Sequence, residues 1–314
     1  MPPQFNQANT IIAHGLDRIP IWKTGSRKWF AFRTVSQKLV PAPLSQEDFI
    51  ARWSAIQNSA AQSMDLREMT VALWKMESLG ALFGRLTRNR NTLQDPRLPR
   101  EVGPIAHVGL GVAAVEIAGF DPAGIIDMIE ALAHPDFRLF AYESLGAMLG
   151  AYEITFPKGL LGLKPHRRPE PRGFINFFAS DIQRLISHGY GRILYFSSIN
   201  ISAAVRKIAG KPFLQQPAAV QGLAFAYAMV NHQDLWHVLD PSDGFEMPEL
   251  NDAFRDGLIY ALEFWEWAAP GFLQALKAPS SRSSELIAVA RQEIASSRAR
   301  GFPGAFLVEA SSSF

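Results

Sequence analysis

The chain has 314 residues, of which 48% are hydrophobic and 19% charged, so it can bury a large core and is too apolar to be disordered. Its net charge of +2 makes no electrostatic case for nucleic acid as a partner. The absence of cysteine excludes disulfides, thiolate metal sites and a cysteine nucleophile, and it fits a reducing compartment.

The first ten residues, Met1 to Thr10, lack the basic-then-apolar order of a signal peptide. Glu116, Glu143 and Gln221 interrupt the longest apolar runs well short of a bilayer span. The expectation is a cytoplasmic protein with no membrane-spanning segment. Residues 1 to 45 are mixed, and alternation between Arg27 and Arg33 suggests a short strand or hairpin. Ser45, with Asp48 three residues on, reads as the cap of a helix. A second helix is predicted over Leu66 to Leu86, where Gly80 and Gly84 allow close approach by a neighbour. Residues 87–104 carry four arginines and three prolines and read as a linker, as do residues 156–173.

Further on, Asn200 caps a short helix that Gly210 stops, and Pro217 sits in the first turn of the next. From Ala218 to Val230 the one strongly polar side chain is Gln221, so this helix is apolar all round and belongs in the core. Helices are expected again from Asn251 to Ala268 and from Ser283 or Ser284 into the tail.

Several stretches echo one another. His107-Val-Gly-Leu-Gly and His188-Gly-Tyr-Gly place Gly109/Gly111 and Gly189/Gly191 80 residues apart, beside a histidine in each case. Asp121 and Asn200 correspond as caps, and Gly146 with Gly222 inside the helices that follow. Glu77-Ser-Leu-Gly-Ala recurs at Glu143, and Asp256-Gly-Leu-Ile-Tyr-Ala resembles Gln221-Gly-Leu-Ala-Phe-Ala. The fold class that follows is all-α, a divergent α-helical repeat of two related multi-helix units side by side with an N-terminal extension. Its divisions are residues 1–104 for the extension and first helices, 105–270 for the duplicated core, and 271–314 for a C-terminal helix and tail.

No signature of a phosphate loop, a serine nucleophile elbow or a zinc-binding helix is present. His232 and His237, five apart, have no second pair of ligands, so no metal site and no cofactor is expected. What stands out is a set of polar residues on apolar helices: His107, Glu116, Glu143, His188, Arg192 and Gln221. Burying them is costly unless they are paired. They form either a buried polar network or the polar lining of a cavity between the glycine-marked helices. In the second case His188, Arg192, Glu143, His107 and Glu116 are candidate catalytic residues, and Tyr190, Tyr195, Gln221 and Phe225 candidate ligand contacts. His188 and Arg192 are four apart on one helical face, and Arg192 is expected to pair with Glu143 or Glu116.

The segments Met76 to Gly84, His188 to Phe196, Gln221 to Ala224 and Phe254 to Ala261 occur in an order that resembles the bacterial domain-of-unknown-function 1702 family of enediyne polyketide gene clusters. The resemblance covers residues 70 to 270 and rests most on Gly189-Tyr-Gly-Arg followed by an apolar aromatic run. The glycine- and aromatic-rich segment usual before that motif is replaced here by residues 159–174. The resemblance implies a setting in secondary-metabolite biosynthesis and carries over no active site. Three functions are then open. The chain binds an apolar polyene or isoprenoid-like intermediate as an accessory protein, converts one as a cyclase or isomerase, or serves as a helical scaffold. The expected partner is a hydrophobic small molecule, with contacts to other pathway enzymes and a homo-oligomer left open.

Overall fold

The computed structural model describes residues 45–86, 92–101, 103–153, 170–198, 200–239 and 250–301. Among them are thirteen α-helices and no strand: α1 (Gln46–Ser63), α2 (Leu66–Leu86), α3 (Gly103–Ala118), α4 (Pro122–Leu132), α5 (Arg138–Glu153), α6 (Pro171–Asn176), α7 (Ser180–Phe196), α8 (Ile201–Ala209), α9 (Gln216–Val230), α10 (Leu235–Leu239), α11 (Asn251–Ala268), α12 (Phe272–Ala275) and α13 (Ser281–Arg300). The protein is all-α, as its sequence predicts. No helix among these residues is long and apolar enough to cross a membrane.

Local signals set the boundaries. Ser45 accepts the Asp48 N–H at the start of α1, Asp121 caps α4 with Pro122 behind it, and Asn200 accepts the Ala203 N–H to open α8. The last helix begins earlier than its sequence suggests. Ser280 and Ser283 form a reciprocal capping box, so α13 starts at Ser281. The alternating stretch at residues 27–33 and most of the linker at 156–173 lie outside the described residues.

Six helices (α2, α3, α5, α7, α9 and α11) form a row in which each packs on the next. The contacts between them are unusually close. A Cβ placed on Gly109 would fall on the carbonyl oxygen of Glu77 in α2, and one on Gly111 on that of Ala141 in α5. Residues two apart on a helix point in nearly opposite directions, roughly 200° round. The Gly-x-Gly spacing is therefore that of a helix held between two neighbours that both touch its backbone.

The same register repeats along the row. Gly189 meets the carbonyl of Glu143, Gly222 that of His188 and Gly257 that of Gln221, while at the α3–α5 junction Ser144 Oγ donates to the Val108 carbonyl. In the reverse direction Gly80, Gly146 and Gly191 meet the carbonyls of Ala106, Ile186 and Ala219. Paired residues advance together, 77 with 109 and 84 with 113 for example, so neighbours in the row run parallel. The chain must run back between them, and α4, α6, α8 and α10 lie on those returns. The ends of the row meet, since Trp265 Nε1 of α11 donates to Thr70 Oγ1 of α2 at 2.9 Å.

Of the sequence echoes, 109/189, 77/143 and 221/256 fall at equivalent places in this register. Gly146 and Gly222 do not, because the first faces the following helix and the second the preceding one. Helix α2, read from sequence as part of an extension, packs directly on α3 and supplies a central residue, Glu77.

Candidate functional site

Glu77, Val108, Glu143, His188 and Gln221 are the residues whose carbonyls receive the close approach of the next helix, so they occupy one equivalent position in successive helices. Two of their side chains, Glu77 and Glu143, meet Arg192, one turn beyond His188, and His188 itself bonds Glu143. Arg192 Nη2 donates to Glu77 Oε1 at 3.4 Å, and its Nε lies 3.3 Å from Glu143 Oε1. His188 Nδ1 lies 3.0 Å from the same Glu143 oxygen. His188 is 1% exposed, whereas the side chains of Arg192, Glu77 and Glu143 retain 12, 10 and 8%. The cluster is thus buried with one edge in contact with solvent.

Charge in this setting is unevenly supported. Burial raises the pKa of Glu77, and the nearby Glu143 adds to this, while Arg192 offsets part of it. Burial acts on Glu143 in the same sense, but Arg192 and the His188 hydrogen bond outweigh it and leave the pKa below its ordinary value. Burial would lower the pKa of Arg192, and its two carboxylates more than compensate. The pair of acids is split: Glu143 is the ionised partner of Arg192 and His188, and Glu77 is the one readier to hold a proton.

Aromatic rings flank the histidine. Tyr260 stands edge-on to His188 at 5.6 Å and Phe225 lies at 6.0 Å, with Phe264 packed against both rings and Phe140 against Phe264. Burial, with Glu143 and Glu263 nearby, pushes the Tyr260 hydroxyl pKa well above its usual value, so it stays protonated.

The sequence candidates separate accordingly. His188, Arg192 and Glu143 meet, with Phe225 beside them. His107 does not join them: its Nδ1 lies 2.7 Å from the Gly103 carbonyl, its Nε2 accepts the His134 N–H at 2.9 Å, and burial lowers its pKa to about 4. Glu116 is not the partner of Arg192. It forms a forked pair with Arg85, its Oε1 taking Nη2 at 2.7 Å, at a site where both side chains are partly exposed. Tyr190 packs against Phe213 and under Lys211, and the Tyr195 hydroxyl accepts from Asn231 Nδ2 at 2.6 Å. Gln221 turns to Asp256, 3.4 Å away.

Two members were not among the candidates, Glu77 and Tyr260, yet both carried a signal. Glu77 repeats Glu143 within Glu-Ser-Leu-Gly-Ala, and Tyr260 stands where Phe225 does in the Asp256/Gln221 echo. No group of three or more histidine, aspartate or glutamate residues able to hold a metal occurs among the described residues, and His232 is engaged with the Met229 carbonyl and the Trp74 ring. No protein family, curated protein or solved structure matches the chain, so the cluster is read on its chemistry alone.

Proposed function

We propose that the chain is a cofactor-independent isomerase or cyclase that uses acid–base chemistry on a hydrophobic intermediate. The resemblance to the domain-of-unknown-function 1702 family supports taking that intermediate to be one of polyketide-type secondary metabolism. The observation that carries the reading is the buried Glu143–His188 pair at 3.0 Å, backed by Arg192. With its proton on Nδ1, His188 donates to Glu143, and Nε2 is then the nitrogen able to take a proton from substrate. Glu143, held ionised by Arg192, fixes that tautomer and stabilises the imidazolium that forms. The surrounding Phe225, Tyr260 and Phe264 rings suit an apolar substrate.

Deleting the gene in the producing organism and restoring it as His188→Gln tests this. The expected outcome is loss of the pathway product while the purified variant keeps its helical spectrum. Product at the normal level overturns the enzyme reading. The same aromatic surround favours a second function, a carrier of an apolar intermediate. Native mass spectrometry of freshly purified protein separates the two: a copurified molecule returned chemically unchanged by both wild type and His188→Gln supports the carrier.

A further inference from the structure

The Glu143–His188 pair supplies a base, and an isomerisation or ring closure also needs a group to stabilise the negative charge that proton removal creates. We infer that Glu77 is that group, a protonated carboxyl acting as the acid partner, and that the substrate is a carbonyl compound with a removable proton on the adjacent carbon. This rests on the acid–base reading and names the substrate class for the same site.

The geometry distinguishes the two acids. Glu143 Oε1 is approached by both His188 Nδ1 and Arg192 Nε, at 3.0 and 3.3 Å. Among the described residues Glu77 Oε1 has one long contact, to Arg192 Nη2 at 3.4 Å. Glu143 thus has two close nitrogen contacts, His188 at 3.0 Å and Arg192 at 3.3 Å, against the one long hydrogen bond from Arg192 to Glu77, and on that difference the proton of the pair is assigned to Glu77. The charged groups acting on Glu77 are Arg192 from α7 and Glu143 from α5, and beyond them His188 and Tyr260 adjoin Glu143. Burial of Glu77 works in the same direction as the donor count. A carboxyl kept neutral by its surroundings is suited to donating a hydrogen bond to an oxyanion.

The step balances without a co-reactant. His188 Nε2 takes the proton from the carbon beside the carbonyl, and the C–H pair becomes a C=C bond as the carbonyl π pair moves to oxygen. The Glu77 O–H bonds to, or protonates, that oxygen. In a conjugated substrate the protonated His188 then returns its proton at another carbon of the dienol, giving an isomer. Alternatively the enol carbon attacks a second carbonyl of the same molecule, closing a ring, and the new alkoxide takes the proton from His188. In either case the enol oxygen hands its proton back to Glu77 as the C=O bond re-forms, so both groups end in the states in which they began.

Two measurements test this. Difference infrared spectra across mildly acidic to mildly alkaline pH read the protonated-carboxyl band, which is expected in wild type and absent in Glu77→Gln. A band that survives Glu77→Gln places the proton elsewhere and overturns the assignment. A long-chain methyl ketone in deuterated water is the second probe. Wild type is expected to accelerate deuterium uptake beside the carbonyl, and Glu77→Leu to slow it by on the order of 10²-fold. Glu77→Gln, whose amide still donates a hydrogen bond, should lose less. Uptake at the wild-type rate in Glu77→Leu overturns the role of Glu77. No uptake with wild type overturns the carbonyl class, whereas the acid–base reading itself falls only if His188→Gln still yields the pathway product.

Discussion

The two histidines beside a Gly-x-Gly sequence show how one residue of offset separates structure from chemistry. Aligned on Gly109 and Gly189, His107 matches Ser187, and His188 matches Val108. The structure follows that alignment. Ser187 Oγ donates to the Gln183 carbonyl at 2.8 Å and accepts the Gln215 N–H at 3.0 Å. His107 bonds the carbonyl four residues back and accepts the His134 N–H, so it performs the same task with an imidazole. Each ties its helix to the segment that leads into the next helix of the row. One residue further on, about 100° round the helix, His188 faces the acids instead. Residue type alone made the two look equivalent, and position in the register decides which is structural.

The largest expected effect separates the regions by charge. Arg192→Ala strands the Glu143 carboxylate and should cost about 3 to 5 kcal/mol in urea unfolding. An unchanged midpoint would mean that the buried pair carries no stability. Nothing comparable is available at His107, whose partners are backbone groups.

Dependence on pH sharpens the contrast, because the two regions respond with opposite sign. The folded-state pKa of His107 is about 4 against 6.5 for the free side chain. Its contribution to stability is therefore complete above pH 6.5 and is lost as pH falls towards 4. The full span corresponds to at most about 3 kcal/mol. Glu77 has a raised pKa, so its contribution is present below the ordinary 4.5 and is lost as pH rises through the folded value. Melting curves should show His107→Ser flattening the acid limb and Glu77→Gln flattening the slope above it. His107→Ser leaving the acid limb unaltered would refute the assignment of His107 as a neutral, backbone-bound histidine.

Glu116→Gln is the smallest of the three. The Arg85–Glu116 pair is partly exposed, so its loss should cost under about 1 kcal/mol and leave product formation intact. Loss of product on this change would put Glu116 back in the site.

Much of the fold was legible in the residues. The boundaries of α2 and α11, the caps Ser45, Asp121 and Asn200, the stop at Gly210 and the burial of α9 all follow from local chemistry, which a helix carries in its own sequence. The polar candidates were partly legible too. A charge on an apolar helix must find a partner, and that argument located Arg192 and Glu143. It could not choose between Glu143 and Glu116, because both acids lie on apolar helices and only packing brings one of them to Arg192.

By itself, then, the sequence determined the helical class, several helix ends and the need for a buried counter-charge, since these depend on neighbours in the chain. The tertiary structure decided the rest. Glu77 and Arg192 are 115 residues apart and meet because successive parallel helices repeat one backbone register and the row closes at Thr70 and Trp265. Which face of a helix looks inward is fixed by what packs on either side of it. For that reason the split between Glu77 and Glu143, two copies of one pentapeptide, comes from how many donors the fold brings to each.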